Sequence, residues 1–175
     1  GGKSLTFQVP ALAMEGICIV VTPLIALMKD QVENLKKHNI KAAAVFSGMT
    51  SNEILQALDN AVYEAYKFLY VSPERLGTEI FIKKLRQMNV CMIVVDESHC
   101  ISQWGYDFRP SYLKIAAIRD ILPDVPVLAL TATATPDVVN VIQEKLASRH
   151  GKVFLKCFER INLTYHVHNR EDKLG

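Results

Sequence analysis

Five short apolar runs, none alternating with polar residues, constrain this chain more than any other feature. They are residues 17–21 (ICIVV), 42–46 (AAAVF), 68–71 (FLYV), 90–95 (VCMIVV) and 125–130 (VPVLAL), most of them rich in Val and Ile. A strand with one wet face alternates apolar and polar side chains. A run without alternation is covered on both faces, as in a parallel sheet between helical layers. Longer segments with helical spacing separate the runs. Residues 24–37 set Leu24, Leu27, Met28, Val32 and Leu35 on one face, and 52–65, 79–88, 111–122 and 137–147 read the same way. Alternating strand and helix predicts an α/β fold with a mostly parallel sheet flanked by helices on both faces. Residues 152–174 read as one or two further strands.

Composition narrows the class. With 175 residues, half of them apolar, the chain can bury a substantial core, which excludes disorder. Only 8 Gly and 7 Pro exclude a collagen-like or linker-like chain. Apolar stretches of about six residues fall far short of the roughly 20 needed to cross a bilayer, so no membrane partner is expected. A net charge of +2 argues neither for nor against a nucleic acid, since a local basic track binds phosphate without moving the total. The four cysteines (Cys18, Cys91, Cys100, Cys157) form no C-x-x-C pair, so no zinc knuckle or disulfide framework is expected, and a reducing compartment fits. The chain opens on Gly1-Gly2-Lys3-Ser4, so its natural start is expected upstream, with the sequence given beginning inside a phosphate loop.

In open parallel sheets, ligands bind beyond the carboxyl ends of the strands. The residues there are Thr22-Pro23, Ser72-Pro73-Glu74, Asp96-Glu97-Ser98-His99 and Thr131-Ala132-Thr133, which points to one shared site. Gly2-Lys3-Ser4 matches the end of a G-x-x-x-x-G-K-[ST] loop: glycine lets backbone N–H groups wrap a phosphate, lysine neutralises it and serine ligates Mg²⁺. Asp96, after the 90–95 run, suits the Mg²⁺ of bound ATP, and Glu97 suits the activation of the attacking water. His99 suits sensing of the γ-phosphate or a link to a neighbouring loop. The plain alternative is that Asp96 and Glu97 cap a helix near Ser98. Thr131 and Thr133 either bridge the nucleotide edge to a substrate face or cap strand ends.

Three hydroxyl–proline pairs, Thr22-Pro23, Ser72-Pro73 and Thr135-Pro136, read as helix starts with a hydroxyl at N-cap and proline at N1. Helix starts on the ligand edge also suit backbone phosphates, with Lys29 and Gln31 extending the contact. Residues 101–110 (ISQWGYDFRP) are the least ordinary stretch. Gln103, Trp104, Tyr106, Phe108 and Arg109 there make either a stacking surface for unpaired bases or core anchors. His166 and His168 share a face of a possible strand without an evident third metal ligand. Lys36-Lys37-His38 and Lys83-Lys84 read first as solvated faces.

Together GGKSLTFQVPAL, VVTPLIALMKDQV, FLYVSPERL, VVDESHCISQWGYDFRP and LALTATAT closely resemble the first motor lobe of RecQ-family DNA helicases, from the first residue to about Thr135. Residues 158–163 (FERINL) look like that family's exit from the lobe. The resemblance implies a RecA-like P-loop NTPase lobe over 1–158 and an exit segment over 159–175. It implies Lys3 and Ser4, beside Gly2, for ATP and Mg²⁺, Asp96 for Mg²⁺ and Glu97 as catalytic base. Trp104, Phe108 and Arg109 would couple DNA binding to hydrolysis, with Thr22, Pro23, Lys29, Ser72, Gln103, Thr131 and Thr133 along the nucleic-acid side. The implied activity is 3′-to-5′ unwinding in recombination and repair, in the nucleoid-associated cytoplasm or the nucleus, on single-stranded and duplex DNA. The family's upstream glutamine motif, second lobe, zinc-binding region and winged helix do not occur in this sequence. An arginine finger from a second lobe is worth on the order of 10³ to 10⁵ in rate, so the lobe alone is expected to be nearly inert. Two other readings stand beside this one: an RNA-directed helicase of the Asp-Glu-x-His class, and a non-catalytic nucleic-acid docking module.

Overall fold

The computed structural model describes residues 2–103, 107–132, 135–146, 154–158 and 165–169. Its elements run α1 (Gly2–Leu12), β1 (Ile17–Val21), α2 (Ile25–Lys37), β2 (Ala42–Val45), α3 (Ser51–Tyr63), β3 (Phe68–Val71), α4 (Glu79–Leu85), β4 (Val90–Val95), α5 (Lys114–Ile121), β5 (Val127–Ala129), α6 (Pro136–Lys145), β6 (Phe154–Phe158) and β7 (Tyr165–Asn169). Three short 3₁₀ turns, Pro73–Arg75, Ser98–Ile101 and Pro110–Leu113, follow or precede these. Strands β1 to β5 form one sheet in the order β2-β3-β1-β4-β5, every pair parallel. β6 and β7 pair antiparallel as a separate hairpin. No helix among the described residues is long and apolar enough to cross a membrane.

The unbroken apolar runs are explained by two cores. Successive side chains on a strand point to opposite faces. Ile17, Ile19, Val21, Leu69, Val71, Ile93 and Val95 pack with α3, α4, α5 and α6. Cys18, Val20, Phe68, Tyr70, Met92 and Val94 pack with α1 and α2. Helices therefore cover both faces, and β1 at the centre is buried at every position.

Several boundaries differ from expectation, each for a local reason. α2 starts at Ile25, and Leu24 and Leu27 are 43% and 37% exposed, so the buried stripe narrows to Met28, Val32 and Leu35. Those two leucines lie in or before the first turn, at the rim where the sheet ends. The strand expected over 125–130 is only Val127–Ala129, because Pro126 has no N–H; it enters the ladder solely by accepting from Ile93 N–H at 2.9 Å. The segment expected as one helix over 111–122 is split after Leu113: Pro110 opens a 3₁₀ turn to Leu113, and α5 follows from Lys114. At the other end of the sheet, Gly16 (φ +107°) lets the backbone approach so closely that a Cβ would lie 2.5 Å from the Asn89 carbonyl.

Candidate functional site

The strands' carboxyl ends converge through backbone bonds that continue the ladder past the last strand residue. Asp96 N–H donates to the Val21 carbonyl at 2.8 Å, Thr22 N–H to Val71 at 3.1 Å, and Ser72 N–H to Val45 at 3.0 Å. Ser98 binds the Leu130 carbonyl with both its N–H (2.8 Å) and its hydroxyl (3.0 Å). The four polar clusters read from the sequence thus share one edge.

α1 brings Gly2, Lys3 and Ser4 to that edge, because Phe7 and Ala11 anchor it in the second core. Lys3 Nζ lies 2.6 Å from Asp96 Oδ1 and 3.3 Å from Glu97 Oε1. Burial lowers the Lys3 pKa, but the hydrogen bond and charge of Asp96, joined by Glu97, outweigh it and hold the ammonium above its ordinary value. A cleft of about 190 Å³ opens beside the pair, lined by Lys3, Ser4, Thr22, Gln31, Tyr70 and Asp96 among others. Asp96 is buried; its Oδ1 accepts from Glu97 N–H at 2.9 Å and its carbonyl accepts from the buried Tyr112 hydroxyl at 2.8 Å. Glu97 adopts a left-handed conformation (φ 51°, ψ 43°), which non-glycine residues rarely take and which costs on the order of 1–3 kcal/mol. That turn aims Glu97 back toward Lys3 and starts the 3₁₀ turn Ser98–Ile101.

His99 is buried behind Glu97. Its Nδ1 shares a hydrogen bond with Thr131 Oγ1 at 2.8 Å and lies 3.6 Å from Glu97 Oε2, while Nε2 lies 3.5 Å from Asp107 Oδ2. The histidine therefore touches the acidic pair, the end of β5 and the segment after residue 103. Within that segment Gln103 and Arg109 are exposed and Phe108 half-buried. Trp104 and Thr133 lie outside the described residues.

The hydroxyl–proline pairs part company. Thr135 caps α6 by accepting from Val138 N–H at 3.3 Å, with Pro136 in the first turn, as expected. Thr22 is not the cap of α2. Leu24 holds that place, and the buried Thr22 hydroxyl instead accepts from Leu24 N–H at 3.3 Å beside half-buried Pro23. Ser72-Pro73 opens only a three-residue 3₁₀ turn, and the buried Ser72 hydroxyl makes no capping bond. Lys29 is exposed and its ammonium sits 5.0 Å from the centre of the Phe46 ring, toward the β2 edge. Gln31 lines the cleft, and its Oε1 is buried without a hydrogen-bond partner among the described residues. Sequence reasoning missed Tyr112 and Asp107. Nothing in the linear order signals that Tyr112 meets Asp96; Asp107 stood in the unusual 101–110 stretch but was overshadowed by the aromatics.

A Gly-Lys-Ser helix start facing an Asp-Glu pair across the carboxyl edge of a parallel sheet is the arrangement of a RecA-like P-loop α/β lobe. The comparisons with known proteins agree. The chain belongs to the DEAD/DEAH box helicase family, whose model matches residues 1–141. It is 46% identical over 174 residues to ATP-dependent DNA helicase RecQ of Bacillus subtilis, an alignment covering 99% of this chain and 29% of that protein. It is 40% identical to the same organism's probable ATP-dependent DNA helicase RecS (98% of this chain, 34% of that one). ATP-dependent DNA helicase Q-like 4B of Arabidopsis thaliana is 42% identical (99% and 16%). The chain thus spans about a third or less of these relatives. The crystal structure of the Pyrococcus furiosus Hef helicase domain shares the fold, with a TM-score of 0.58 at 18% identity over 82% of this chain and 30% of that one. The resemblance to RecQ helicases read from the sequence is borne out.

Proposed function

We propose that residues 1–158 are the ATP-binding lobe of a DNA helicase that unwinds duplex DNA 3′ to 5′, and that residues 159–175 lead toward a second lobe. The observation that carries this reading is the Lys3 ammonium within 3.3 Å of both Asp96 and Glu97 beside a cleft. The names of the relatives, ATP-dependent DNA helicases at 40–46% identity, support DNA as the polymer.

The donor set fits a magnesium-bound triphosphate: one ammonium, one hydroxyl and two carboxylates meet at a helix start. Gly2, Lys3 and Ser4 would hold the phosphates, with Ser4 and Asp96 holding the metal. Magnesium, when bound, neutralises phosphate charge. Without a ligand Lys3 neutralises the two acids, so phosphates that take the ammonium free Glu97 to accept a proton from water. His99, tied to Glu97, Thr131 and Asp107, would report the state of the acids to the segment bearing Gln103, Trp104, Phe108 and Arg109. Those residues, with Thr22, Pro23, Lys29, Ser72 and Thr133, would meet the strand through phosphate and stacking contacts that carry little base information.

The test is ATP hydrolysis stimulated by single-stranded DNA in the full-length protein. Glu97→Gln is expected to lower turnover by about 10²-fold or more while nucleotide binding persists. Unchanged turnover rejects the base, and equal stimulation by RNA replaces DNA as the polymer.

A further inference from the structure

Four hydrogen bonds run in a closed circuit from the acidic pair, across the ends of the 101–110 segment, and back. Cys100 N–H donates to the Glu97 carbonyl at 3.0 Å, Arg109 N–H to the Cys100 carbonyl at 2.9 Å, and Tyr112 N–H to the Arg109 carbonyl at 3.0 Å. The Tyr112 hydroxyl closes the circuit by donating to the Asp96 carbonyl at 2.8 Å. Tyr112 is fully buried in the first core, where a hydroxyl without a partner is costly. The partner it takes lies 16 residues back along the chain, at the start of the acidic pair.

We propose that Tyr112 is a positioning residue for Glu97. The Asp96 carbonyl and the Glu97 N–H belong to one planar peptide unit, so fixing that plane fixes the direction in which the chain enters Glu97. Both polar atoms of the unit are held, the N–H by Asp96 Oδ1 at 2.9 Å and the carbonyl by Tyr112. The unit leads into the left-handed conformation at Glu97, which a residue with a side chain keeps only where its surroundings enforce it. A peptide free to rotate would relax that turn and carry Glu97 away from its 3.3 Å contact with Lys3. The two restraints differ in kind. Asp96 Oδ1 is also the oxygen that meets Lys3 at 2.6 Å, so the N–H bond changes whenever the lysine or the carboxylate takes up a ligand. The tyrosine bond lies in the core, away from that exchange, and holds the peptide through it. This inference rests on the proposed function, because it concerns the base of that reaction.

The full-length protein carrying Tyr112→Phe keeps the ring and lacks only the donor. Its kcat for ATP hydrolysis with single-stranded DNA is expected to fall about tenfold, the cost of a slightly misplaced base. The ATP KM, the affinity for a fluorescent ATP analogue and the DNA concentration at half-stimulation should stay within about twofold, since the groups proposed to bind them are untouched. Placing 4-aminophenylalanine at position 112 returns an N–H donor to the same ring and is expected to restore at least about half of kcat. Unchanged kcat in Tyr112→Phe overturns the inference. So does a lowered kcat that the amine fails to restore, or a Phe variant that circular dichroism shows unfolded, because the hydroxyl then serves packing or stability alone. A wild-type protein that does not hydrolyse ATP rejects the proposed function, and this inference with it, so the wild-type rate tells the two failures apart.

Discussion

Lys3 stands between opposed effects: burial in the cleft works against its charge, and two carboxylates on a neighbouring strand end favour it. The acids prevail and its folded-state pKa is raised. A raised lysine contributes stability that is complete below its unfolded value of 10.5 and is lost only as pH climbs through the folded value. At neutral pH the pair is therefore fully formed. A double-mutant cycle of Lys3→Met and Asp96→Asn, read by urea unfolding at pH 7, should return a coupling of about 1–2 kcal/mol. A value near zero means the pair is solvated and the cleft does not hold it. At this scale the chain's residue types were legible, since a lysine after glycine and two adjoining acids after an apolar run announce their chemistry. The left-handed turn at Glu97 and the Tyr112 bond to the Asp96 carbonyl were not, because both depend on how the following segment folds back.

Among the elements, helix starts show how far a local signal carries. Thr50 and Glu53 form a complete capping box on α3, each side chain accepting from the other's backbone N–H. Thr50 is exposed, so Thr50→Ala removes the cap and little else; it should lower unfolding free energy by about 1 kcal/mol, measured by urea denaturation. No measurable change would mean that the start of α3 is held by packing alone. The three hydroxyl–proline pairs carried equal weight in the sequence and met three fates. Proline pre-sets its own backbone angle and removes a donor, but it cannot dictate how many residues follow in helical form. That is decided by burial: Val138, Val139 and Ile142 give α6 a face to pack, whereas chain geometry after Pro73 admits only three residues before the next turn.

At the scale of the whole molecule, the two cores hold three buried thiols among the described residues, Cys18 and Cys91 with α1 and α2 and Cys100 on the opposite side. Burial pushes Cys100 up to about 11 and Cys18 up to about 12 from an ordinary 9.0. A thiol whose folded pKa is raised stays protonated while the unfolded chain loses its proton, so stability is full below pH 9 and falls as pH rises through these values. Urea unfolding at pH 8 and pH 10.5 should show the folded state weaker at the higher pH, and substituting Cys18 and Cys100 by Ala should reduce that slope, leaving the share of Cys91, whose thiol burial also raises. The doubly covered sheet was legible because non-alternating Val and Ile runs have few other ways to escape water, and the order of strand and helix then leaves few topologies. Likewise the identity of the chemical groups at the strand ends is a property of the sequence alone. What only the tertiary structure decided is which of those groups meet: Lys3 with Asp96, His99 with Thr131, and Cys100 with Asp107. Such meetings depend on strand order, register and loop closure, which arise from packing across the entire chain and leave no periodic mark along it.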